Sequence, residues 1–502
     1  MIELTAAQIA DATGGQLVAG TDPDTSVNSA TTDSREITAS GLFVAKPGEF
    51  ADGHDFVLSA RERGAQLMLG QREVSDDNGT PVPGIIVADT VVAMGDLAEY
   101  IVARIREHSP TTVIGITGSV GKTTTKDLLA GLLSEALASD DPDAVVAPQN
   151  SYNGEVGVPL TIFRASLTTR YLVVEMGADH VGNIADLCRM VRPDISVALT
   201  VGSAHTASFG SVENIVKTKG EIVEGLSQGG VAVLNADDPR VASMAERVPE
   251  GAEVLWFSTA NRHDSAYAPI VYTAELSTDD NERPHFYLGY NPTGQPADLQ
   301  LTTAEVTSGL TGIHHATNLA ATAAVAVAAG LDPETVGGLL QGRGPVSKHR
   351  MARTDRADGI TIIDDSYNAN PESMRAGLKT LALTGRSTGR RTWAVLGEML
   401  ELGSNSIKEH IHIGEAVVRL NISQLVVVGQ QARPLYTGAV MEGSWGDEVD
   451  HVADIDEAEQ LLNQRLQPGD IVFIKGSNST GLWKLADRLT ADPTTPRQGD
   501  LQ

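Results

Sequence analysis

The sequence predicts an α/β protein of three domains, with a doubly wound and mostly parallel sheet in the central domain. The first observation is a series of apolar runs, rich in β-branched residues, that suit buried parallel strands: TVIGIT, YLVVEM, ISVALTV and VAVLN. The second is that segments with helical spacing, such as KTTTKDLLAGLLSEAL, separate these runs. The third is the length of 502 residues, which is more than one hydrophobic core supports.

The order of these patterns divides the chain into three segments. Residues 1–108 alternate short apolar and helical runs, and the polar stretch REHSPTT, residues 106–112, predicts the linker to the next segment. Residues 109–345 contain the strands named above, and a polar, turn-rich stretch at 277–300 predicts a surface hairpin or loop. Residues 346–502 carry a second strand–helix series with the strands ITIID, TWAVLG, QLVVVG and DIVFIKG, which predicts a Rossmann-like C-terminal domain.

Composition and charge exclude several classes of function. The net charge of −28 and the isoelectric point near 4.7 argue against nucleic acid or an anionic membrane as a partner. Cys188 is the only cysteine, so an intrachain disulfide and a multi-cysteine metal site are excluded. The first residues lack the pattern of a secretory signal, and no apolar stretch reaches the roughly 18 residues of a membrane span. We therefore expect a cytoplasmic protein without stable membrane insertion.

The stretch GITGSVGKTTT, residues 115–125, predicts a phosphate-binding loop of unusual length. It follows a β-branched strand and opens a helix, an arrangement that directs backbone N–H groups at an anion. The common Walker pattern has four residues between its glycines, whereas two separate Gly118 from Gly121 here. Lys122 would reach the β- and γ-phosphates of ATP, and the Thr123 hydroxyl would bind Mg²⁺. The alternative is a glycine-rich turn with an incidental lysine. The residues predicted to bind ATP in this loop are Gly118, Ser119, Val120, Gly121, Lys122, Thr123 and Thr124.

Three further polar residues are candidates for the same site. Glu175 ends the strand in YLVVEM, where a carboxylate points into the ligand crevice of such a sheet and suits magnesium, although a solvated strand end is the alternative. His205 follows a later strand, and Lys219 lies on a predicted helix that starts near Val212. For these last two, the residues alone favour a surface histidine and a solvated helix face.

Other stretches repeat the motifs of a known family. They are NSYNGEVGVPLT (150–161), VVEMGADHVGNI (173–184), KTKGEI (217–222), DDSYNANPESM (364–374), LGEMLELG (396–403) and IKGSNS (474–479). With TGSVGKTTT, they resemble the Mur ligase family, the ATP-dependent amide ligases of peptidoglycan precursor synthesis. The stretch DSYNANPES resembles the branch that adds D-alanyl-D-alanine to UDP-N-acetylmuramoyl-tripeptide, and residues 32–56 resemble its uridine-nucleotide domain.

The resemblance implies a catalytic centre with two magnesium ions. Lys122 would contact the phosphates of ATP, while Thr123 and Glu175 would bind one Mg²⁺. His205 would help to hold the second ion. Lys219 stands where other family members carry a carbamylated lysine, a modification that converts an ammonium into a carboxylate-like metal ligand. That chemistry needs a neutral amine, so the site must lower the pKa of Lys219 or trap the carbamate with metal.

The resemblance also assigns the nucleotide contacts outside the loop. Asn318 would contact adenine, and Asp365, or its neighbour Asp364, would bind the ribose. Arg350, at the start of the C-terminal domain, would reach the phosphates when that domain closes. His315 stands where the family has a first asparagine before Asn318, so the adenine contact at this position differs from the family's.

For the acceptor and the dipeptide, the resemblance implies contacts from both ends of the chain. The predicted substrate-binding residues are Ser34, Arg35, Asn153, Asn368 and Asn370. A second departure from the family lies beside Arg350, where His349 replaces a glycine and is expected to stiffen the turn. A monomer is expected to carry the whole site.

The resemblance implies a reaction in two steps. The terminal carboxylate of the tripeptide attacks the γ-phosphate of ATP, which gives an acyl phosphate and ADP. The amine of D-alanyl-D-alanine then displaces phosphate and forms the amide. One alternative is a sister ligase of the same superfamily that adds a single amino acid or glutamate. Another is a nucleotide-binding regulatory switch, although a switch has no need of a set such as Glu175, His205 and Lys219.

Overall fold

The computed structural model describes residues 1–48, 51–149, 151–202, 209–260, 267–294, 300–443 and 447–491, without the side chains at 300–303. Within these residues the strands form three larger sheets and a two-stranded one, in the order N-terminal, central and C-terminal along the chain. The α/β class and its mostly parallel sheets are therefore confirmed. The boundaries at 108 and 345 remain predictions.

The N-terminal sheet has five described strands, of which four run parallel. In spatial order they are Gln16–Leu17, Gly84–Ile86, Ala65–Gly70, Gly41–Ala45 and Ser29–Thr31. Leu4–Thr5 and Ser26–Val27 pair as a separate antiparallel ribbon. The strand Gly41–Ala45 is buried along its whole length, which is typical of a parallel strand covered on both faces.

The central sheet has nine described strands, and its topology decides where a ligand can bind. In spatial order they are Gln300–Thr307, Pro284–Asn291, Ile270–Thr278, Glu253–Ser258, Val231–Asn235, Ile195–Ala198, Thr112–Thr117, Tyr171–Glu175 and Val145–Val146. After Thr112–Thr117 the chain adds strands first on one side and then on the other, so this strand is the switch point of the sheet. Ligands of open α/β sheets bind at the carboxyl ends of such strands.

The prediction of a surface hairpin or loop at 277–300 is correct about the hairpin but wrong about its place on the surface. Ile270–Thr278 and Pro284–Asn291 do form an antiparallel hairpin, but it extends the central sheet instead of lying on its surface. Phe286 and Leu288 are buried in the core that this sheet shares with its helices. The polar composition hid an alternation in which every second residue faces inward. Residues 295–299 lie outside the described part of the chain.

The C-terminal sheet has six described strands, parallel except for one edge strand. In spatial order they are Ala352–Asp355, Thr361–Asp364, Ile471–Lys475, Thr392–Leu396, Gln424–Val428 and Val449–Val452. Two apolar clusters, one on each face, cover the sheet. The doubly wound arrangement agrees with the predicted Rossmann-like domain.

Helices pack on both faces of the sheets. Their bounds are Ala6–Thr13, Val57–Glu62, Thr90–His108, Lys122–Leu137, Gly157–Ile162, Asn183–Val191, Val212–Glu224, Pro239–Ala242, His315–Ala328, Pro333–Leu340, Pro371–Thr388, Ser406–Arg419, Arg433–Glu442, Ile455–Arg465 and Leu482–Thr490. No helix in the described ranges is long and apolar enough to cross a membrane.

The packing of two C-terminal helices predicts a mutation that destabilises the fold. A Cβ added at Gly414 would lie 2.0 Å from the backbone oxygen of Leu435, because the two helices touch there. We expect Gly414→Ala to lower the free energy of unfolding by about 1–3 kcal/mol, measured by urea denaturation. The matched control is Gly338→Ala, since a Cβ at helical Gly338 meets no atom within 4 Å. Equal stability of the two variants would contradict this account.

Candidate active site

Two adjoining cavities lie where the central and C-terminal domains face each other. The first has a volume of about 380 Å³ and is lined by the phosphate loop together with residues of both domains. The second has a volume of about 1020 Å³ and also reaches Thr32 of the N-terminal domain. Six residues line both cavities: Ser119, Lys122, Ser151, Asn153, Asn368 and Asn370. A molecule in one cavity therefore meets a molecule in the other at Lys122.

The phosphate loop has the predicted strand–loop–helix geometry. It joins Thr112–Thr117 to the helix Lys122–Leu137, and Gly121 caps that helix with a left-handed φ of 88°. A Cβ on Gly121 would lie 2.2 Å from Asn318 Oδ1, so the loop is pressed against the helix His315–Ala328. Glycine is required at this position by both the backbone and the close approach.

Lys122 is folded back onto its own loop. Its ammonium donates a hydrogen bond to the Gly118 carbonyl at 2.8 Å. Burial lowers the pKa of Lys122, and the charge of Arg350 adds to this, while Glu175 and Glu401 act in the opposite direction. An anion in the first cavity offers this lysine a stronger partner than a neutral carbonyl.

Glu175 and Thr123 bring two oxygen ligands together at the switch point. The Thr123 hydroxyl donates to Glu175 Oε2 at 2.8 Å, and the Asn153 amide donates to Oε1 at 3.2 Å. Both Thr123 and Glu175 are buried. In the described ranges no three His, Cys, Asp or Glu side chains are grouped as a ready metal site. A carboxylate and a hydroxyl nevertheless suit Mg²⁺, which takes few protein ligands and completes its shell with water and phosphate oxygens.

Lys219 is buried in the second cavity, contrary to the solvated face that its helix position favoured. It lies on Val212–Glu224, and its side chain makes no hydrogen bond or ion pair with another described residue. Burial, and then the charge of Lys122, lower the pKa of Lys219 to about 7. Much of this amine is therefore neutral near physiological pH. His205 lies outside the described residues.

Asn318 and His315 form a polar pair in the wall of the first cavity. The Asn318 amide nitrogen lies 3.1 Å from His315 Nδ1, and its Oδ1 accepts a long hydrogen bond from Thr125. Since an amide nitrogen only donates, Nδ1 accepts and the neutral ring carries its proton on Nε2. Burial lowers the pKa of His315, which keeps the ring neutral. His315 Nε2 is buried and has no partner among the described residues.

The structure distinguishes the two aspartates that the sequence left open. Asp365 lines the first cavity and pairs with Lys475, whose ammonium lies 2.5 Å from Oδ2. Asp364 lines neither cavity and instead bonds the His349 ring at 2.6 Å and the Ser366 hydroxyl at 2.5 Å. Adjacent residues alternate in direction after a strand, so the sequence could not say which one faces the ligand.

Arg350 crosses from the C-terminal domain to the central one. Its Nη2 donates to the Ser151 hydroxyl at 2.6 Å, and its guanidinium lies over the Tyr367 ring at 4.3 Å from the centroid. Ser151 in turn lies 3.0 Å from the Thr123 hydroxyl. Arg350 is thereby linked to the phosphate loop by a chain of hydrogen bonds.

The predicted substrate residues divide into two groups. Asn153, Asn368 and Asn370 line both cavities, although the Asn370 side chain also caps the helix Pro371–Thr388 by accepting from the Ser373 amide. Ser34 and Arg35 are absent from both linings. Arg35 is exposed and pairs with Asp33 at 2.6 Å.

Several residues that line the cavities were not predicted as site residues. They are Thr32, Ser151, Asp179, His180, Tyr367 and Glu401. Most of them lie inside the family motifs, which was the available signal. Nothing in the single sequence separated them from structural neighbours.

Comparison with known proteins identifies the family. The profile of the Mur ligase family catalytic domain matches residues 26–101, that of the Mur ligase middle domain matches 116–326, and that of the Mur ligase glutamate ligase domain matches 349–478. A UDP-N-acetylmuramoyl-tripeptide--D-alanyl-D-alanine ligase from Mycobacterium tuberculosis is 43% identical, over 98% of this chain and 99% of its own. The chain belongs to the Mur ligase family.

Other members agree with this assignment. The enzyme of the same name from Escherichia coli is 30% identical over 98% of this chain and all of its own length. MurF from Acinetobacter baumannii superposes with a TM-score of 0.80 at 28% identity, covering 97% of this chain and 99% of its own. MurF ligase from Thermotoga maritima, solved in complex with ADP, gives a TM-score of 0.71 at 26% identity, covering 92% and 96%.

The contact between the loop and Asn318 predicts the effect of one methyl group. We expect Gly121→Ala to weaken ATP binding about 10- to 100-fold, equivalent to about 1.4–2.8 kcal/mol, because its Cβ would displace Asn318 and strain the cap. Titration calorimetry with Mg²⁺ and ATP measures this. Gly229→Ala is the matched control, since Gly229 has a φ of 74° and a Cβ there meets no atom within 4 Å. Wild-type affinity in Gly121→Ala would contradict the role of the loop.

Proposed function

We propose that the protein joins D-alanyl-D-alanine to UDP-N-acetylmuramoyl-tripeptide with ATP, in the synthesis of peptidoglycan precursors. The relatives that match nearly the whole chain carry this name. The observation that carries the proposal is the pair of cavities that meet at Lys122, one containing the phosphate loop and the other reaching the N-terminal domain. This arrangement suits a reaction between a nucleotide and a long acceptor.

The first step must bring two anions together, the tripeptide carboxylate and the γ-phosphate of ATP. Lys122 and Arg350 supply positive charge from opposite domains. Lys122 would leave the Gly118 carbonyl for the phosphates, and Arg350 would leave Ser151, because both residues gain a charged acceptor. Carboxylate attack then forms the acyl phosphate and releases ADP.

In the second step, the amine of D-alanyl-D-alanine attacks the acyl phosphate from the second cavity. Asn153, Asn368 and Asn370 lie at the junction and would orient the acceptor and the dipeptide. Since water competes with the amine for the acyl phosphate, closure of the C-terminal domain over this junction protects the intermediate. Displacement of phosphate leaves the new amide.

One magnesium site fits the described residues, and we propose a second one beside it. Thr123 and Glu175 would hold one ion, and His205 and a carbamylated Lys219 would contribute to the second. Bound Mg²⁺ would neutralise the negative charge that develops on the phosphate oxygens during transfer. The buried Lys219 amine has no side-chain partner among the described residues and is suited to carbamate formation, since its pKa is about 7.

The remaining wall of the first cavity would bind the nucleoside. Asn318 and the Nε2–H of His315, which has no partner in the described part of the chain, would contact adenine, and Asp365 would bind the ribose after releasing Lys475. Ser34 and Arg35 would act on the uridine nucleotide at the far end of the acceptor. Residues of a single chain line both cavities, so we propose a monomer as the working unit. Since the cytoplasm supplies ATP and UDP-linked precursors, we place the reaction there.

The reaction is tested by measuring phosphate release with Mg-ATP and D-alanyl-D-alanine, with and without the UDP-linked tripeptide. We expect release only with all components, together with a product heavier than the acceptor by one dipeptide minus water. Release with a single amino acid in place of the dipeptide would reassign the protein to a sister ligase. Phosphate release that depends on neither the acceptor nor the dipeptide would favour a nucleotide switch.

Lys219 provides a second test. We expect Lys219→Ala to lower kcat about 100-fold or more, the scale of losing one electrostatic group in a reaction centre, with partial recovery when a short carboxylic acid is added. Intact-protein mass spectrometry under bicarbonate should show one added CO₂ in the wild type only. Lys217→Ala is the matched control, since Lys217 is exposed on the same helix. Near-normal turnover in Lys219→Ala would overturn the role of this lysine.

A further inference from the structure

We infer that His349 is a positioning residue that fixes Arg350 to the C-terminal domain and so directs its guanidinium at the phosphate loop. The inference rests on the proposed function, because Arg350 is assigned there to the phosphates of ATP. It concerns a residue of this chain that stands where the family has glycine. The observations that carry it are the backbone conformation around Arg350 and the contacts on each side of it.

The backbone at this turn is unusual for side-chain-bearing residues. His349 has a φ of 61° and Met351 a φ of 49°, so two non-glycine residues in the left-handed region flank Arg350. Left-handed backbone is strained for residues with a Cβ and persists only where the surroundings hold it. The two strained residues flank the one arginine that reaches into the first cavity. The turn therefore serves to orient that side chain.

The backbone on each side of Arg350 is held by residues of the C-terminal domain, while the Arg350 side chain itself bonds Ser151 of the central domain. His349 Nδ1 bonds Asp364 Oδ2 at 2.6 Å, and both side chains are largely buried. The His349 carbonyl accepts from the Tyr367 amide at 3.1 Å, and the Met351 amide donates to Asp365 Oδ1 at 3.1 Å. Arg350 is therefore fixed to this domain on both sides.

The residues just before the turn are held much less. Across 344–348, one hydrogen bond to the central domain is seen among the described residues, from the Ser347 amide to Asp127 at 3.2 Å. Val346 is 68% exposed. Arg343, by contrast, is fixed to the central domain by its ion pair with Glu135 at 2.5 Å. Residues 344–348 thus make few hydrogen bonds among the described residues, whereas the backbone on both sides of Arg350 is bonded to the C-terminal domain.

His349 is suited to this role in a way that glycine is not. Glycine adopts a φ near 60° without strain but has no side chain that can form a hydrogen bond with Asp364. Histidine tolerates the left-handed region better than most residues, and its imidazole supplies the bond that holds the turn. The expected consequence is a loss of turnover when the bond is removed, with little change in ATP affinity, since the phosphate loop itself is untouched.

Kinetics of three variants test the inference. In His349→Gly, which keeps the backbone but loses the bond, we expect kcat to fall about 10- to 100-fold while the KM for ATP changes by less than about threefold. His349→Asn should recover most of the lost activity, because its amide nitrogen occupies nearly the position of Nδ1 and asparagine accepts a left-handed φ. Asn421→Gly is the matched control: it removes a side chain at another left-handed position of the same domain, with a φ of 56°.

A double-mutant cycle separates positioning from a general effect on the fold. If His349 acts through Arg350, His349→Gly should cause no further loss of kcat in an Arg350→Ala background. A full additional loss there would overturn the inference, as would unchanged kcat in His349→Gly alone.

Hydrogen exchange gives a readout that does not depend on ligation. The Tyr367 and Met351 amides should exchange faster in His349→Gly than in the wild type and return toward normal in His349→Asn. Unchanged exchange in His349→Gly would overturn the inference. Failure of the proposed function gives a different result from failure of this inference. In that case the wild type forms no amide, but hydrogen exchange still shows whether His349 holds the turn.

Discussion

The hydrogen bond between the Thr123 hydroxyl and Glu175 joins the first turn of a helix to the end of a neighbouring strand, and the site is organised around it. The helix N-terminus and the strand end meet because Thr112–Thr117 is the switch point of the central sheet. Both side chains are buried, so the two oxygens are held together without competition from water. The phosphate loop, the Ser151 and Arg350 contacts and the Asn153 amide all converge on this bond.

The electrostatics of the site differ from those of the whole protein. A chain with a net charge of −28 must bind a nucleotide, a UDP-linked acceptor and a carboxylate. It does so with two partly buried cations near the cavity junction, Lys122 and Arg350, where a lowered dielectric strengthens each interaction with an anion. Burial also lowers the pKa of Lys122 and Lys219 and holds the pKa of His314 at about 4. The imidazoles of His314 and His315 in the wall of the first cavity are therefore neutral, and His315 accepts a hydrogen bond from the Asn318 amide.

Much of this could be predicted from the sequence, because periodicity and glycine spacing are local properties. The strand before the loop, the helix after it and the position of Glu175 at a strand end follow from such patterns. The buried environment of Lys219 could not follow, since it depends on which other elements pack against the helix Val212–Glu224. The choice between Asp364 and Asp365 depends on the direction of one strand end, and the left-handed turn at His349 depends on contacts made far along the chain.

The central claim is that amide formation passes through an acyl phosphate made at the junction of the two cavities. The most direct measurement uses a tripeptide acceptor whose terminal carboxylate carries isotopically labelled oxygen at both positions, followed by mass analysis of the released phosphate. The account predicts one labelled oxygen in phosphate for each amide formed, because the carboxylate oxygen bonds phosphorus in the first step and leaves with it in the second. Unlabelled phosphate, or label found in a nucleoside monophosphate, would contradict an acyl phosphate intermediate.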